Sequence, residues 1–246
     1  MPLLDHFREA RRRLLICALA IAAGGIVGWV LSDPIIQAGA APISSIPRVD
    51  AALNFTTVGA AFDLRFRVAL TAGIILASPV WLYNVWAFIV PGLTAKETRY
   101  GILFAALAVP LFVSGAITGW IVMPNIVQLL VSFAPPDTAT LLSASEYFDF
   151  LLRLTVAVGI AFVAPLGIVA LNAAGVITAR SVIRAWRFAI AAILIFSAAV
   201  TPSADLLSMF LLAAPVILLY FGAYAWCAIH DRRLERRTMA ITALAS

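Results

Sequence analysis

The chain has 246 residues, 63% hydrophobic and only 12% charged, with a mean hydropathy of +1.04. A soluble domain carries charge on about a quarter of its residues and spreads it over a water-facing surface, so a soluble enzyme or a large soluble head is excluded and a membrane protein is indicated. The formal charge of +5 sits in short runs between apolar segments, which reads as topology information rather than as a nucleic-acid surface.

Charge-free runs occupy residues 14–32, 68–95, 100–136, 154–179, 188–204 and 206–230. A helix crossing the hydrocarbon takes roughly 20 apolar residues, so each run holds one crossing. The expected spans lie at about 14–32, 67–89, 101–123, 148–172, 186–200 and 205–228, within a single membrane domain 1–246 that ends in a basic cytoplasmic tail, 229–246.

The first span follows His6-Phe7-Arg8-Glu9-Ala10-Arg11-Arg12-Arg13, where Asp5 can cap the helix and the arginines anchor it at the membrane edge. Its uninterrupted core, Leu14 to Leu31, exceeds the roughly 7–15 residues of a cleaved leader. Ala38-Gly39-Ala40 would suit a cleavage site, but the retained span is the preferred reading. Pro79, Pro110, Pro165 and Pro215 fall within spans and predict kinks, hence a curved bundle. Thr94-Ala95-Lys96-Glu97 matches a capping box opening the third helix, and Ser143-Ala144-Ser145-Glu146 repeats the pattern before the fourth.

Pro124, Asn125, Gln128 and Pro135-Pro136 argue that the long third run holds one helix followed by an external segment. Asp149 and Arg153 are spaced to pair at i, i+4. Asn84, Thr155 and Asn172 are expected to make interhelical contacts. Thr178 suits a helix start at the inner surface, and Asp205 a cap on the sixth helix. The 17 residues between Arg187 and Asp205 leave a fifth helix of about 15, rising only about 22 Å. Short fifth and sixth helices are therefore expected, with local bilayer thinning or a tilted, recessed helix pair.

With both termini cytoplasmic, six crossings place nearly all loop arginines inside, and external Arg48, Arg65, Arg67 and Arg153 are the exceptions, the last three at span edges. Catalytic readings find little support. Cys17 and Cys227 lie in apolar segments without metal-ligand spacing, His6 and His230 sit near the chain ends, and no phosphate-binding loop motif is present. Neither an enzyme nor a bound cofactor or metal is expected.

The run His6-Phe7-Arg8-Glu9-Ala10-Arg11, then Ser78-Pro79-Val80 with Trp86-Ala87-Phe88-Ile89-Val90-Pro91-Gly92-Leu93 and Glu97, then Phe162-Val163-Ala164-Pro165 and Thr201-Pro202 before Asp205, resembles the TatC family of the twin-arginine protein translocase. The resemblance covers nearly the whole chain and implies a six-helix receptor, N-in and C-in, in the prokaryotic cytoplasmic membrane. By the same resemblance it binds twin-arginine signal peptides of folded proteins, assembles with single-span TatA-type and TatB-type subunits and with further copies of itself, and serves export driven by the proton motive force. Carried over by position, Glu9 and Glu97 would contact the signal arginines, with Arg11, Phe88 and Leu93 shaping the inner site, and Pro42 and Asp205 match further family positions.

Two departures stand out: the Thr201–Asp205 spacing is one residue longer than usual, and Val163 replaces the family's common intramembrane glutamate, which raises Thr155 or Asn172 as substitutes. Ala10 in place of a leucine is a minor difference. The residues themselves support the carry-over, because a carboxylate accepts a guanidinium bidentately and an otherwise basic inner face needs carboxylates to receive a basic peptide. The alternative is a secondary transporter of a small solute or ion, compatible with kinked helices and a faint repeat (Leu93-Thr94-Ala95-Lys96 against Ile177-Thr178-Ala179-Arg180), but without a mid-membrane acid.

Overall fold

The structure, a computed structural model, describes residues 3–42, 54–55, 57–89, 95–132, 143–173, 175–201 and 206–245. The described residues form α1 (Leu3–Val30), α2 (Ser32–Ala40), α3 (Ala60–Leu76), α4 (Ser78–Ile89), α5 (Ala95–Ser132), α6 (Ala144–Ala173), α7 (Ala179–Arg184), α8 (Trp186–Val200) and α9 (Leu206–Ala245). Among them the only strand-like pairing is a single bridge between Asn54 and Ser143. Among the described residues four stretches are long and apolar enough to cross a membrane, Phe7–Val30, Ala106–Val127, Ala144–Ala173 and Leu212–Leu234, while α3 and α4 are apolar enough only as a pair and meet at a bend of 60°. The chain divides into two compact units, Met1–Gly159 and Ile160–Ser246.

In the first unit, α1 packs against α3 through residues without bulk. A Cβ on Gly24 would stand 2.9 Å from the Gly73 carbonyl oxygen, and one on Gly28 would stand 2.5 Å from that of Ala69. Such close backbone approach is how helices associate where lipid removes the hydrophobic drive to pair. The pairing of Gly24 with Gly73 and Gly28 with Ala69 makes α1 and α3 antiparallel. The same device recurs at Gly119, whose Cβ would meet Leu154 and Thr155 backbone atoms at 3.1 Å, joining α5 to α6.

The break between α3 and α4 has a local cause. Proline lacks an N–H and its ring clashes with the preceding turn, so it suits the first turn of a new helix rather than the interior of an old one, and Pro79 is the second residue of α4. The Ser78 amide would have bonded the Ile74 carbonyl in an unbroken helix; instead the Trp81 indole donates to that oxygen at 2.9 Å. Pro110 and Pro124 stand inside α5, Pro165 inside α6 and Pro215 inside α9, all unbroken as helices. The expected end of the third helix near residue 123 is thereby corrected, because α5 continues through Pro124, Asn125 and Gln128 to Ser132, an apolar helix tolerating proline where its neighbours re-satisfy the freed carbonyl.

In the second unit, α6 ends in a left-handed residue, Gly175, with φ of 73°. Its N–H donates to the Asn172 carbonyl at 2.9 Å and that of Val176 to Leu171 at 3.0 Å, satisfying carbonyls the helix end leaves free. Thr178 caps α7 as its spacing predicts, its hydroxyl accepting from the Ser181 amide at 3.3 Å. The expected short fifth helix is α8, at 15 residues. The expected short sixth helix is corrected: α9 has 40 residues, because Arg232, Arg233, Leu234, Glu235 and Arg236 favour helix as strongly as the apolar segment before them.

Candidate functional site

Glu9 sits in the second turn of α1, half-buried, and is braced from one turn away by Arg13, whose Nε and Nη2 donate to it at 3.0 and 2.6 Å. Both bonds fall on Oε1, which leaves Oε2 without a partner among the described residues. Arg11 is exposed, two residues on and about 200° around the same helix from Glu9. The antiparallel contact carries α3 and then α4 back toward this end of α1, with which α4 is also in contact. Phe88, half-buried, is the penultimate residue of α4.

The direction of α4 is set by Trp81, which meets the fully buried Phe112 of α5 edge to face at 5.2 Å. A connection of five residues, 90–94, separates Ile89 from Ala95. Spanning at most ~3.5 Å each, they keep the first turn of α5, which includes Glu97, near the end of α4. The helix ends bearing Glu9, Arg11, Phe88 and Glu97 are thus brought to one end of the first unit. The side chain of Glu97, together with Leu93 and Asp205, lies outside the described residues, while Pro42 is half-buried just after α2, remote from this end.

The opposite end of the same unit is held by charge pairs that the sequence reading places only at span edges. Arg65 pairs with Asp33 of α2, and Arg67 pairs both with Asp149 of α6 and, from Nε at 2.9 Å, with Asp63. The expected Asp149–Arg153 pair is present at 3.4 Å. Tyr147 donates to the Gly39 carbonyl at 2.9 Å and fixes α2 against α6.

Of the three polar residues expected to bridge helices, Asn84 and Thr155 instead satisfy their own helix, donating to Val80 and Leu151 at 2.8 and 2.7 Å. A lone polar side chain in an apolar helix returns to the carbonyl one turn back when no partner is within reach. Asn172 alone crosses between elements. Its Nδ2 donates to the Ile177 carbonyl and to Asp231 of α9, both at 2.9 Å, while the other Asp231 oxygen accepts the Ala179 amide at 2.8 Å.

Asp231 is therefore a clasp that ties α6, the following turn and α7 to α9, a role that its place in His230-Asp231-Arg232-Arg233 does not signal. Asp231→Ala should destabilise this turn by about 1.5–3 kcal/mol, the range for hydrogen bonds to a charged group. Hydrogen exchange at 175–179 should accelerate accordingly, with the α1–α3 amides unaffected. Unchanged exchange there would remove the clasp from the account.

Long apolar helices, one of them paired with a second across a bend at Pro79, and charged groups gathered at helix ends define a multi-span helical membrane protein. A family model described as TatC, Sec-independent protein translocase protein, matches residues 5–215. The Sec-independent protein translocase protein TatC of Xylanimonas cellulosilytica is 43% identical over 97% of this chain and 87% of its own length, and that of Rothia mucilaginosa is 32% identical over 96% and 82%. A crystal structure of the twin arginine translocase receptor TatC in DDM superposes with a TM-score of 0.81 at 30% identity, covering 90% of this chain and 99% of its own. The chain belongs to the TatC family, a family of protein-transport components of the Tat translocase rather than catalytic enzymes.

Proposed function

We propose that this chain is the receptor and organising core of the twin-arginine translocase, binding the paired arginines of signal peptides at Glu9 and Glu97, with Arg11, Phe88 and Leu93 around them. The observation that carries this reading is the Glu9 carboxylate, anchored by Arg13 through one oxygen while the other has no described partner. A guanidinium arriving at Oε2 gains a charge-assisted bond without first breaking the brace. Arg8, Arg11 and Arg12 stand close by on α1, so a basic signal meets net repulsion except at carboxylates, which gives discrimination as well as attraction.

In this reading the protein crosses the cytoplasmic membrane six times as one domain, 1–246, with both termini and the basic tail 229–246 inside. α8 is then the shortest crossing, rising about 22 Å. Pro42 faces the outer side and Asp205 opens the sixth crossing. The chain recognises folded cargo, while TatA-type and TatB-type subunits and further copies of itself assemble around it and the proton motive force drives passage. A transporter of small solutes gains no observation in its favour.

A photo-crosslinker at position 88 should capture an Arg-Arg signal peptide several-fold more strongly than its Lys-Lys counterpart, because only guanidinium offers the planar fork. Equal capture of both peptides would overturn the proposal.

A further inference from the structure

Arg8, Arg11 and Arg12 share one face of α1 with Leu15, Ile16 and Leu19, and the six side chains line an open hollow of about 560 Å³. All three arginines are exposed, and the aliphatic side chains beneath them are 52%, 40% and 70% exposed. At about 100° per residue, this face points away from the side of α1 that carries Gly24 and Gly28 and receives α3. Glu9 and Arg13 lie beside it and pair with each other.

Topology asks only for positive charge near the membrane edge and is indifferent to its placement around the helix. Here three cations stand in one column, directly continued by an aliphatic strip that reaches roughly 10 Å further along the span. We infer that this column binds an anionic phospholipid of the leaflet bordering the N-terminal end of α1, the guanidiniums holding the phosphate and Leu15, Ile16 and Leu19 lying along an acyl chain. Arginine forks match phosphate oxygens bidentately, and the neighbouring aliphatic surface takes the chain that such a headgroup brings with it. A soluble phosphate would use the arginines and leave the strip bare. An acidic protein segment has no need of a strip that runs down the surface of a membrane span.

Arg11 also belongs to the proposed signal site, so the test contains no signal peptide and its failure leaves that reading untouched. The purified full-length chain in mild detergent is titrated with phosphatidylglycerol and with phosphatidylcholine of the same acyl chains, and bound lipid is counted by native mass spectrometry. Phosphatidylglycerol should bind about tenfold or more tightly, as expected of a charge-assisted site. The preference should vanish in Arg8→Gln/Arg11→Gln/Arg12→Gln and persist in Arg232→Gln/Arg233→Gln/Arg236→Gln.

If the first variant fails to insert, Arg8→Lys/Arg11→Lys/Arg12→Lys keeps the charge, and should still lose about threefold or more because an ammonium cannot fork. Equal affinity for the two lipids, equal loss in both Gln variants, or undiminished binding by the Lys variant would overturn the site. Displacement of the lipid by glycerol phosphate would overturn it in favour of a soluble anion. Displacement by a polyglutamate peptide would do so in favour of an acidic protein segment.

Discussion

Glu9→Gln and Glu97→Gln should each weaken binding of a twin-arginine signal peptide by about 1.5–3 kcal/mol, roughly 10- to 150-fold in Kd, because each removes a charge-assisted bond while keeping side-chain size. For Glu9 the loss has a second source. Its carboxylate accepts two bonds from Arg13, and a neutral amide in its place adds uncompensated positive charge to a cluster that already holds Arg8, Arg11 and Arg12. The double variant should bind no better than the weaker single one. Fluorescence anisotropy with a labelled signal peptide, on protein whose helical content matches the parent, reads the effect directly. If both single variants bind like the parent, the two glutamates are helix-end residues and signal recognition lies elsewhere.

Gly28→Ala and Gly73→Ala should be the most damaging small substitutions in the first unit. The added carbon would sit 2.5 Å from the Ala69 carbonyl oxygen in one case and 2.6 Å from the Gly25 amide nitrogen in the other. Both obstacles are backbone, so relief requires α1 and α3 to separate, at a cost of about 1–3 kcal/mol or more. Gly167 of α6 has nothing within 4 Å of its would-be Cβ, and Gly167→Ala should be neutral or stabilising by about 0.5–1 kcal/mol, since alanine loses less freedom in a helix. Thermal unfolding of the three purified variants in one detergent orders them. Gly28→Ala melting with the parent would mean that the helices are not in backbone contact. Because α1 carries Glu9, the same substitution should also weaken signal binding.

Much of the helical architecture was legible because lipid acts locally. A charge-free run of sufficient length must become a helix, whatever its neighbours, since only intrasegment hydrogen bonds satisfy its backbone. Pro79 marks the break by the loss of one N–H, and Thr178 the start of α7 by the oxygen it offers. The long continuation of α9 was missed because polarity in 231–237 marks the end of an apolar run, not the end of a helix. For the candidate site, motif resemblance and the scarcity of acids in a basic context single out Glu9 and Glu97. The bracing of Glu9 by Arg13 is likewise a plain i, i+4 spacing.

What remained hidden is which helix meets which. A span that is apolar all round has no stripe to mark its inner face, and lipid tails attract its side chains as well as a neighbouring helix does. The seam between α1 and α3 therefore depends on where Gly24, Gly28 and Gly73 come into register, a property of two helices together and of neither alone. The long-range polar contacts follow the same logic. Asn172 and Asp231 are 59 residues apart and Arg67 and Asp149 are 82 apart, and each pair exists only once packing has set two helix ends side by side. The sequence by itself determined that this chain enters a membrane as helices and to which family it bears resemblance, because hydropathy, proline and short motifs act over a few turns. The tertiary structure decided that Asn172 is a clasp while Asn84 and Thr155 bond within their own helices, because a polar group in an apolar span takes whichever partner close packing puts within about 3 Å.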